Sequence, residues 1–291
     1  MTGHNEPRYV LITGCTTGGL GHALALEFCK RGCRVIATAR NPARMQDLVD
    51  RSDVDTVPLD VCDAASIARA KEAVQALTGG RLDVLVNCAG GAYVVKPAIE
   101  LGASEDLEMF DLNFHAAVRM VTAFAPLVLA VGKGAKIVSI SSVGAYVPMP
   151  YLGMYAAAKG ALNSYGNALR VELSPFGVDV LTIMAGAVAN SKNVADVSLT
   201  LSPNSLYKPL QAGFSKTYVE ANAKQAPAAV FARNVVREAL KPRSRDVLWT
   251  GGQALMCWIL VTFVPHSVLK SMMVNMWDLN KLSSAALRKA D

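Results

Sequence analysis

The feature that most restricts what this chain can fold into is a glycine-rich turn set between a strand and a helix. Residues Tyr9–Thr13 form an apolar strand-like run that passes straight into GCTTGGLGHALALEFCKRG, with a helix expected to open at His22. Glycines let the backbone turn sharply and come close to a ligand. The amino end of a helix adds free N–H groups and a positive dipole. Strand, loop and helix in this order are therefore a recipe for holding a pyrophosphate. The alternation that begins here continues, with strands expected at 34–39, 55–59, 82–86, 135–141 and 177–183 and helices at 64–77, 104–131 and 153–174. Residues 190–227 break the rhythm; they are rich in Ser, Asn and Pro, as a substrate lid would be. A helix at 228–240 and a strand at 246–249 restore it. The pattern predicts an α/β fold, a doubly wound parallel sheet of Rossmann type in one domain over 1–252, with 187–227 as its lid.

The end of the second strand bears on cofactor choice. An acidic residue there would bind the adenosine ribose and select NAD. The sequence has Thr38-Ala39-Arg40 instead, with Arg44 following. A guanidinium at this place suits a 2′-phosphate, so NADP(H) is the expected cofactor.

A second constellation lies in S-VGAYVPMPYLGM-Y-AAA-K, from Ser142 through Tyr155 to Lys159. On a helix, Tyr155 and Lys159 stand one turn apart on one face. A free phenol titrates near 10 and is a poor proton carrier at neutrality. A neighbouring ammonium is expected to stabilise the phenolate and lower that value. Ser142 is placed to hydrogen-bond a substrate oxygen. A phenol acid, a cation that tunes it and a hydroxyl that holds the oxygen suit reduction of a carbonyl or the reverse. Tyr-x-x-x-Lys alone arises by chance in many helices, and the upstream nucleotide motif gives this one its weight.

The rest of the composition excludes more than it proposes. With 291 residues, 52% of them hydrophobic, the chain can bury a large core and is not a disordered protein. Six cysteines without paired metal spacing read as reduced, structural thiols and suggest a cytosol-facing protein. No signal-peptide or transit pattern precedes the first strand. The net charge of +6 is spread without aromatic–basic interleaving, so no nucleic-acid partner is expected. His4, His22, His115 and His266 lack ligand partners nearby in sequence, and no metal is expected.

The tail over 253–291 is unusual. Its segment ALMCWILVTFV, 254–264, is uninterruptedly apolar, stops at Pro265 and resumes as a mixed helix with Met272, Met273, Met276 and Trp277. It is too short to span a bilayer, which takes about 20 apolar residues. Basic residues flank it, as an anionic lipid surface favours. A dimer element, a lid over the pocket and a peripheral membrane contact through 254–277, at the endoplasmic reticulum or a lipid droplet, all satisfy its need for cover.

Taken together, Thr13-Gly14…Gly19-Leu20-Gly21, Asn87-Cys88-Ala89-Gly90, Asn113, Ser142 and Tyr155 with Lys159 resemble the short-chain dehydrogenase/reductases over nearly everything from Tyr9 to Gly251. The loop and tail look most like a fungal branch that includes NADPH-dependent 1-acyldihydroxyacetone-phosphate reductase and tailoring reductases of secondary metabolism. The resemblance implies Tyr155 as general acid/base, Lys159 as the group that lowers its pKa and binds the nicotinamide ribose, Ser142 as carbonyl polariser, and Asn113 as holder of a relay water. It implies cofactor contacts at Gly14, Thr16, Gly19, Leu20, Gly21, Arg40, Asp60, Val61, Asn87, Ala89, Gly90, Gly186, Val188 and Asn190, besides Tyr155 and Lys159. A lipophilic small-molecule substrate and a homo-oligomer are further expectations. Three departures stand out: a glycine loop one residue longer than usual, Cys88 where the family has a second asparagine, and Ala185-Gly186…Asn190 in place of Pro-Gly…Thr. The last touches the nicotinamide contacts and leaves a redox-neutral isomerase or epimerase, or a nucleotide-binding protein without turnover, as alternatives.

Overall fold

The computed structural model describes residues 7–189, 199 and 201–282. Seven strands form one fully parallel sheet: β1 Tyr9–Thr13, β2 Arg34–Ala39, β3 Val54–Pro58, β4 Val84–Asn87, β5 Lys136–Ser142, β6 Asp179–Ala185 and β7 Val247–Thr250. Their spatial order is β3-β2-β1-β4-β5-β6-β7. Order reverses between β1 and β4, and in such sheets ligands bind in the crevice at the carboxyl ends beside that reversal. The first two strands match the sequence expectation residue for residue; the others shift by a residue or two. β6 starts at Asp179 rather than 177 because Gly177 takes a left-handed φ of +72° that ends the preceding turn.

A sheet covered on both faces needs strands apolar on both sides. β1 shows this: Val10 and Ile12 point into one core and Leu11 into the other, all fully buried. The first core is closed by α1 (Leu20–Lys30), through Leu24 and Phe28, and by α8 (Ala228–Ala239), through Phe231 and Val235. The second is closed by α3 (Ala64–Thr78), α5 (Ala116–Val131) and α6 (Gly153–Leu173), with Phe124 and Leu127 at its centre. The short α2 (Gln46–Val49) sits between β2 and β3. The stretch 103–131 is long and apolar enough to cross a membrane by composition alone, but Met120, Phe124 and Val128 pack it onto the sheet. It is also not one regular helix. α4 (Ala103–Phe110) and α5 are joined by a wider π turn, Asp111–His115.

Beyond the sheet the chain departs from expectation. The stretch read as an irregular lid contains an eleven-residue helix, α7 (Gln211–Ala221), whose Phe214 is buried. The tail forms α9 (Ala254–Phe263) and α10 (His266–Met276), a hairpin broken at Pro265. Tyr151, Leu152, Phe214, Met273 and Trp277 make a third, smaller apolar cluster over the carboxyl edge of the sheet.

Candidate active site

Ser142 is the last residue of β5, and its Oγ accepts the Gly144 N–H at 3.0 Å in the tight turn Val143–Ala145. The chain returns through Tyr151, held at a φ of +67°, and enters α6 at Gly153. That return carries Tyr155 and Lys159 past Ser142 on one face of α6. The Lys159 ammonium lies 5.8 Å from the centre of the Tyr155 ring and donates to the Ile140 carbonyl at 2.9 Å.

Lys159 is buried and Tyr155 half-buried, and the loss of solvent decides their titration. It pushes the Lys159 ammonium down to about 8. It also pushes the Tyr155 phenol up, opposed by the hydrogen bond with Ser142 and aided by the nearby Tyr218. The expected lowering of the phenol by Lys159 is therefore corrected in this geometry. The ammonium is committed to a backbone carbonyl, and desolvation of the phenolate outweighs what Ser142 gives back.

Asn113 enters from the π turn. The extra residue in that turn aims its amide at the loop after β4, where Oδ1 accepts the Gly91 N–H (2.9 Å) and Nδ2 donates to the Gly91 and Met109 carbonyls (3.1 and 3.0 Å). Gly90 lies between Asn113 and Lys159. A Cβ there would come within 2.8 Å of Asn113 Oδ1 and 3.3 Å of Lys159 Nζ, and its φ is +151°. Below them is a cavity of about 10 Å³, lined by Thr13, Val61, Asn87, Asn113 and Lys159 among others. That is the size that holds one water. Asn87 is buried, and neither polar atom of its amide has a partner among the described residues.

The crevice continues to β1. Thr13, not among the expected contacts, is the hub of this junction: its Oγ1 accepts the N–H groups of Cys88 and Ala89, both at 2.9 Å. Gly14 and Cys15 donate to the Thr38 carbonyl at 3.0 and 2.8 Å, tying the glycine loop to the end of β2. Gly19 caps α1 without any side-chain hydrogen bond, which leaves N–H groups of the first turn of α1 to face the crevice. Gly21 allows that closeness, since a Cβ would sit 2.5 Å from the Gly14 carbonyl oxygen. Thr17, also unforeseen, donates from its backbone to the Arg44 carbonyl at 2.8 Å and from its hydroxyl to Asp47. That places Thr16, Arg40 and Arg44 on one rim, with both guanidinia exposed and without an ion pair among the described residues.

Asp60 and Val61 follow β3. The Asp60 carboxylate turns back to the Cys62 N–H (2.9 Å), while Val61 reaches the small cavity. Gly186 donates to the Thr250 carbonyl, and Val188 bridges to Ala226, so the loop after β6 is pinned to β7. Asn190 lies outside the described residues.

A larger cavity of about 170 Å³ opens between α7 and α10, lined by Tyr151, Leu210, Phe214 and Trp277, with Thr217, Asp278 and Lys281 as polar members. Phe214 and Trp277 stand edge-on to Tyr151 at 5.5 and 5.6 Å, and Phe214 stacks on Tyr218 at 5.5 Å. Tyr218, stacked on Phe214 of this wall, also helps to push the Tyr155 phenol up. No local motif announced Tyr218 or Phe214, which come from the stretch read as irregular.

Comparison with known proteins agrees with this arrangement. A family model described as short chain dehydrogenase matches residues 8–200. A short-chain dehydrogenase of Aspergillus ruber, fogD, is 38% identical over 283 residues, covering 97% of this chain and 98% of that one. The NADPH-dependent 1-acyldihydroxyacetone phosphate reductase of Schizosaccharomyces pombe is 41% identical over 206 residues, 69% of this chain and 68% of that one. Among solved structures, a short-chain dehydrogenase from Streptomyces avermitilis superposes with a TM-score of 0.78 at 25% identity, covering 99% of each chain.

Proposed function

This chain belongs to the short-chain dehydrogenase family, and on that premise we propose that it interconverts a ketone and a secondary alcohol of a lipophilic substrate with NADP(H). The observation that carries the reading is the meeting of Ser142, Tyr155 and Lys159 at the carboxyl end of β5, beside the crevice between β1 and β4.

The residues of the crevice fit the cofactor. The unpartnered amide of Asn87 offers a donor and an acceptor where a ring would lie, the open turn of α1 suits a pyrophosphate, and Arg40 and Arg44 suit a 2′-phosphate. The bound nicotinamide would supply or take the hydride. The chain does the rest. Ser142 holds the substrate oxygen by donating its hydroxyl proton to it. Tyr155, a phenol protonated near neutrality, gives a proton to that oxygen in reduction and takes one in oxidation. Lys159 holds the ribose, and with Asn113 it flanks the one-water cavity through which a spent phenol is reprotonated.

The aromatic chamber supports an apolar substrate. Its volume matches roughly one aromatic ring, since a cavity near 150 Å³ takes benzene. An intermediate of fungal secondary metabolism and a lipid such as acyl-dihydroxyacetone phosphate both carry a ketone on an apolar body. The six free thiols suit the reducing cytosolic side, with or without a membrane contact. Assembly as a homo-oligomer is part of the same reading, and sedimentation tests it. The decisive experiment follows NADPH oxidation against a panel of apolar ketones. Consumption with a stoichiometric alcohol product is expected, and a redox-neutral product or no turnover across the panel overturns the reading.

A further inference from the structure

The cores, the crevice and the chamber leave one element unused. Helix α9 exposes Leu255, Met256, Trp258, Ile259 and Phe263, at 67, 48, 38, 44 and 69% of their full surface, and buries only Ala254. At 100° per residue these five fall within one arc that carries no charge. Helix α10 continues the surface with Val268, Met272 and Met276, spaced four apart and all exposed. Only the inner side of the hairpin is covered. α9 packs on β7 and on the Val143–Ala145 turn that follows Ser142, and α10 gives Leu269, Met273 and Trp277 to the interior.

We propose that the outer face of the α9–α10 hairpin is a lipid-docking surface, with α9 lying in the plane of the headgroup–acyl boundary. An apolar patch rimmed by polar groups marks an interaction site, and its chemistry says which kind. Ten residues of α9 reach about 15 Å, half a bilayer core, so the helix lies on the membrane and does not cross it. Its exposed arc mixes Trp and Phe with Leu and Ile, the composition of interfacial helices. Charge is complementary: the chain carries +6, and Lys270 stands exposed on α10, without an ion pair among the described residues, to meet anionic headgroups. The proposal deepens the reading of a lipophilic substrate and rests on it for its purpose, because the same hairpin builds the docking face and the wall of the chamber. A ketone dissolved in the bilayer then has a short way to Tyr155.

The test is flotation of the full chain with phosphatidylcholine vesicles containing about one third phosphatidylserine, beside pure phosphatidylcholine vesicles, for the wild type and a Leu255→Gln/Ile259→Gln/Phe263→Gln variant. These side chains point outward, so the variant keeps its fold, read by circular dichroism. A single Phe263→Gln chain serves as a second, milder variant. The wild type should float with the anionic vesicles and show a blue shift of tryptophan fluorescence. The triple variant should lose at least about tenfold in bound fraction, and the single variant should fall between. A wild type that stays with the soluble fraction, or a triple variant that floats equally well, overturns the proposal. So does a wild-type dimer that fails to float and that the triple variant converts to monomer, since the patch would then face a second copy. Flotation reads docking without turnover, so failure of the reductase reading and failure of this one are seen separately.

Discussion

At the scale of single residues, the site depends on a buried ammonium and a half-buried phenol with opposed titrations. Burial leaves Lys159 charged only below about 8. Its folded pKa is depressed, so the unfolded chain binds the extra proton between about 8 and 10.4, and stability rises with pH across that window. Below it, the buried ammonium is a cost that the fold bears for function. Lys159→Met is therefore expected to raise the denaturant midpoint at pH 7 while turnover falls by at least about 10²-fold. Unfolding curves and NADPH oxidation on the same samples check both halves. Tyr155→Phe should lose about 10²–10⁴-fold in rate with NADPH affinity, read by fluorescence, unchanged, because only the proton donor goes. Arg40→Ala removes a charge-assisted bond worth about 1.5–3 kcal/mol. NADPH affinity should drop about tenfold or more, and NADH should bind as before; equal losses would show that Arg40 does not read the phosphate. Ser142, Tyr155 and Lys159 were legible in the sequence because helix periodicity brings two of them together and a strand end delivers the third. The unpartnered amide of Asn87 and the bearing of Tyr218 on Tyr155 were not legible, since each arises from a long-range approach that no local spacing encodes. The titration of Tyr155 was misjudged for the same reason: i,i+4 spacing fixes who the neighbour is, not what its ammonium is bonded to.

At the scale of elements, the strand–helix alternation was readable because each strand must be apolar on both faces, as Val10, Leu11 and Ile12 are. The π turn that aims Asn113 was not, since one extra residue inside an apolar helical run leaves its periodicity nearly unchanged. Helix α7 was hidden by Ser, Asn and Pro around a run whose apolar face is only Phe214 and its neighbours. The joint between β5 and β6 offers an element-scale test. Lys136 is 1% exposed, and its Nζ donates to Asp179 Oδ2 at 2.6 Å, while the Ser244 N–H adds a bond at 2.9 Å. Burial raises the Asp179 carboxyl, but Lys136 and Ser244 together hold it below the usual range. The stability it contributes is present above about pH 4 and is lost as pH falls through its lower folded value. Asp179→Asn strands a buried ammonium and should cost about 3–5 kcal/mol at pH 7. Denaturant unfolding of the wild type and variant at pH 7 and pH 3 checks this: the gap between them should narrow in acid.

At the scale of the whole molecule, the tail had three readings in sequence, and its two helices differ in how far the fold covers them. In α10 the pattern was present: Leu269, Met273 and Trp277 fall four apart on one face and all three are buried, Met273 and Trp277 in the cluster of Tyr151 and Phe214. In α9 every position is apolar or neutral, so the sequence carries no contrast to say which side is covered. This division changes what a truncation means. A chain ending at Gly252 loses the exposed face of α9, but it also strips α10 from the chamber. Burying each large apolar side chain stabilises by roughly 1.5–3 kcal/mol, so three of them amount to roughly 5 kcal/mol or more, comparable with the whole stability of a typical domain. We expect the truncated chain to unfold at markedly lower temperature and to bind apolar ketones poorly, which mixes loss of the chamber with loss of docking. Trp277→Ala separates the two. It leaves α9 in place and opens only the wall beside Phe214 and Tyr151, so vesicle flotation should stay at the wild-type level. KM for a large apolar ketone should rise about tenfold or more, while kcat/KM for a small water-soluble ketone, which does not fill the chamber, stays close to wild type. Steady-state kinetics on the two ketones decides it, and a parallel loss for both would mean that Trp277 supports the fold of the lid and not the fit of the substrate.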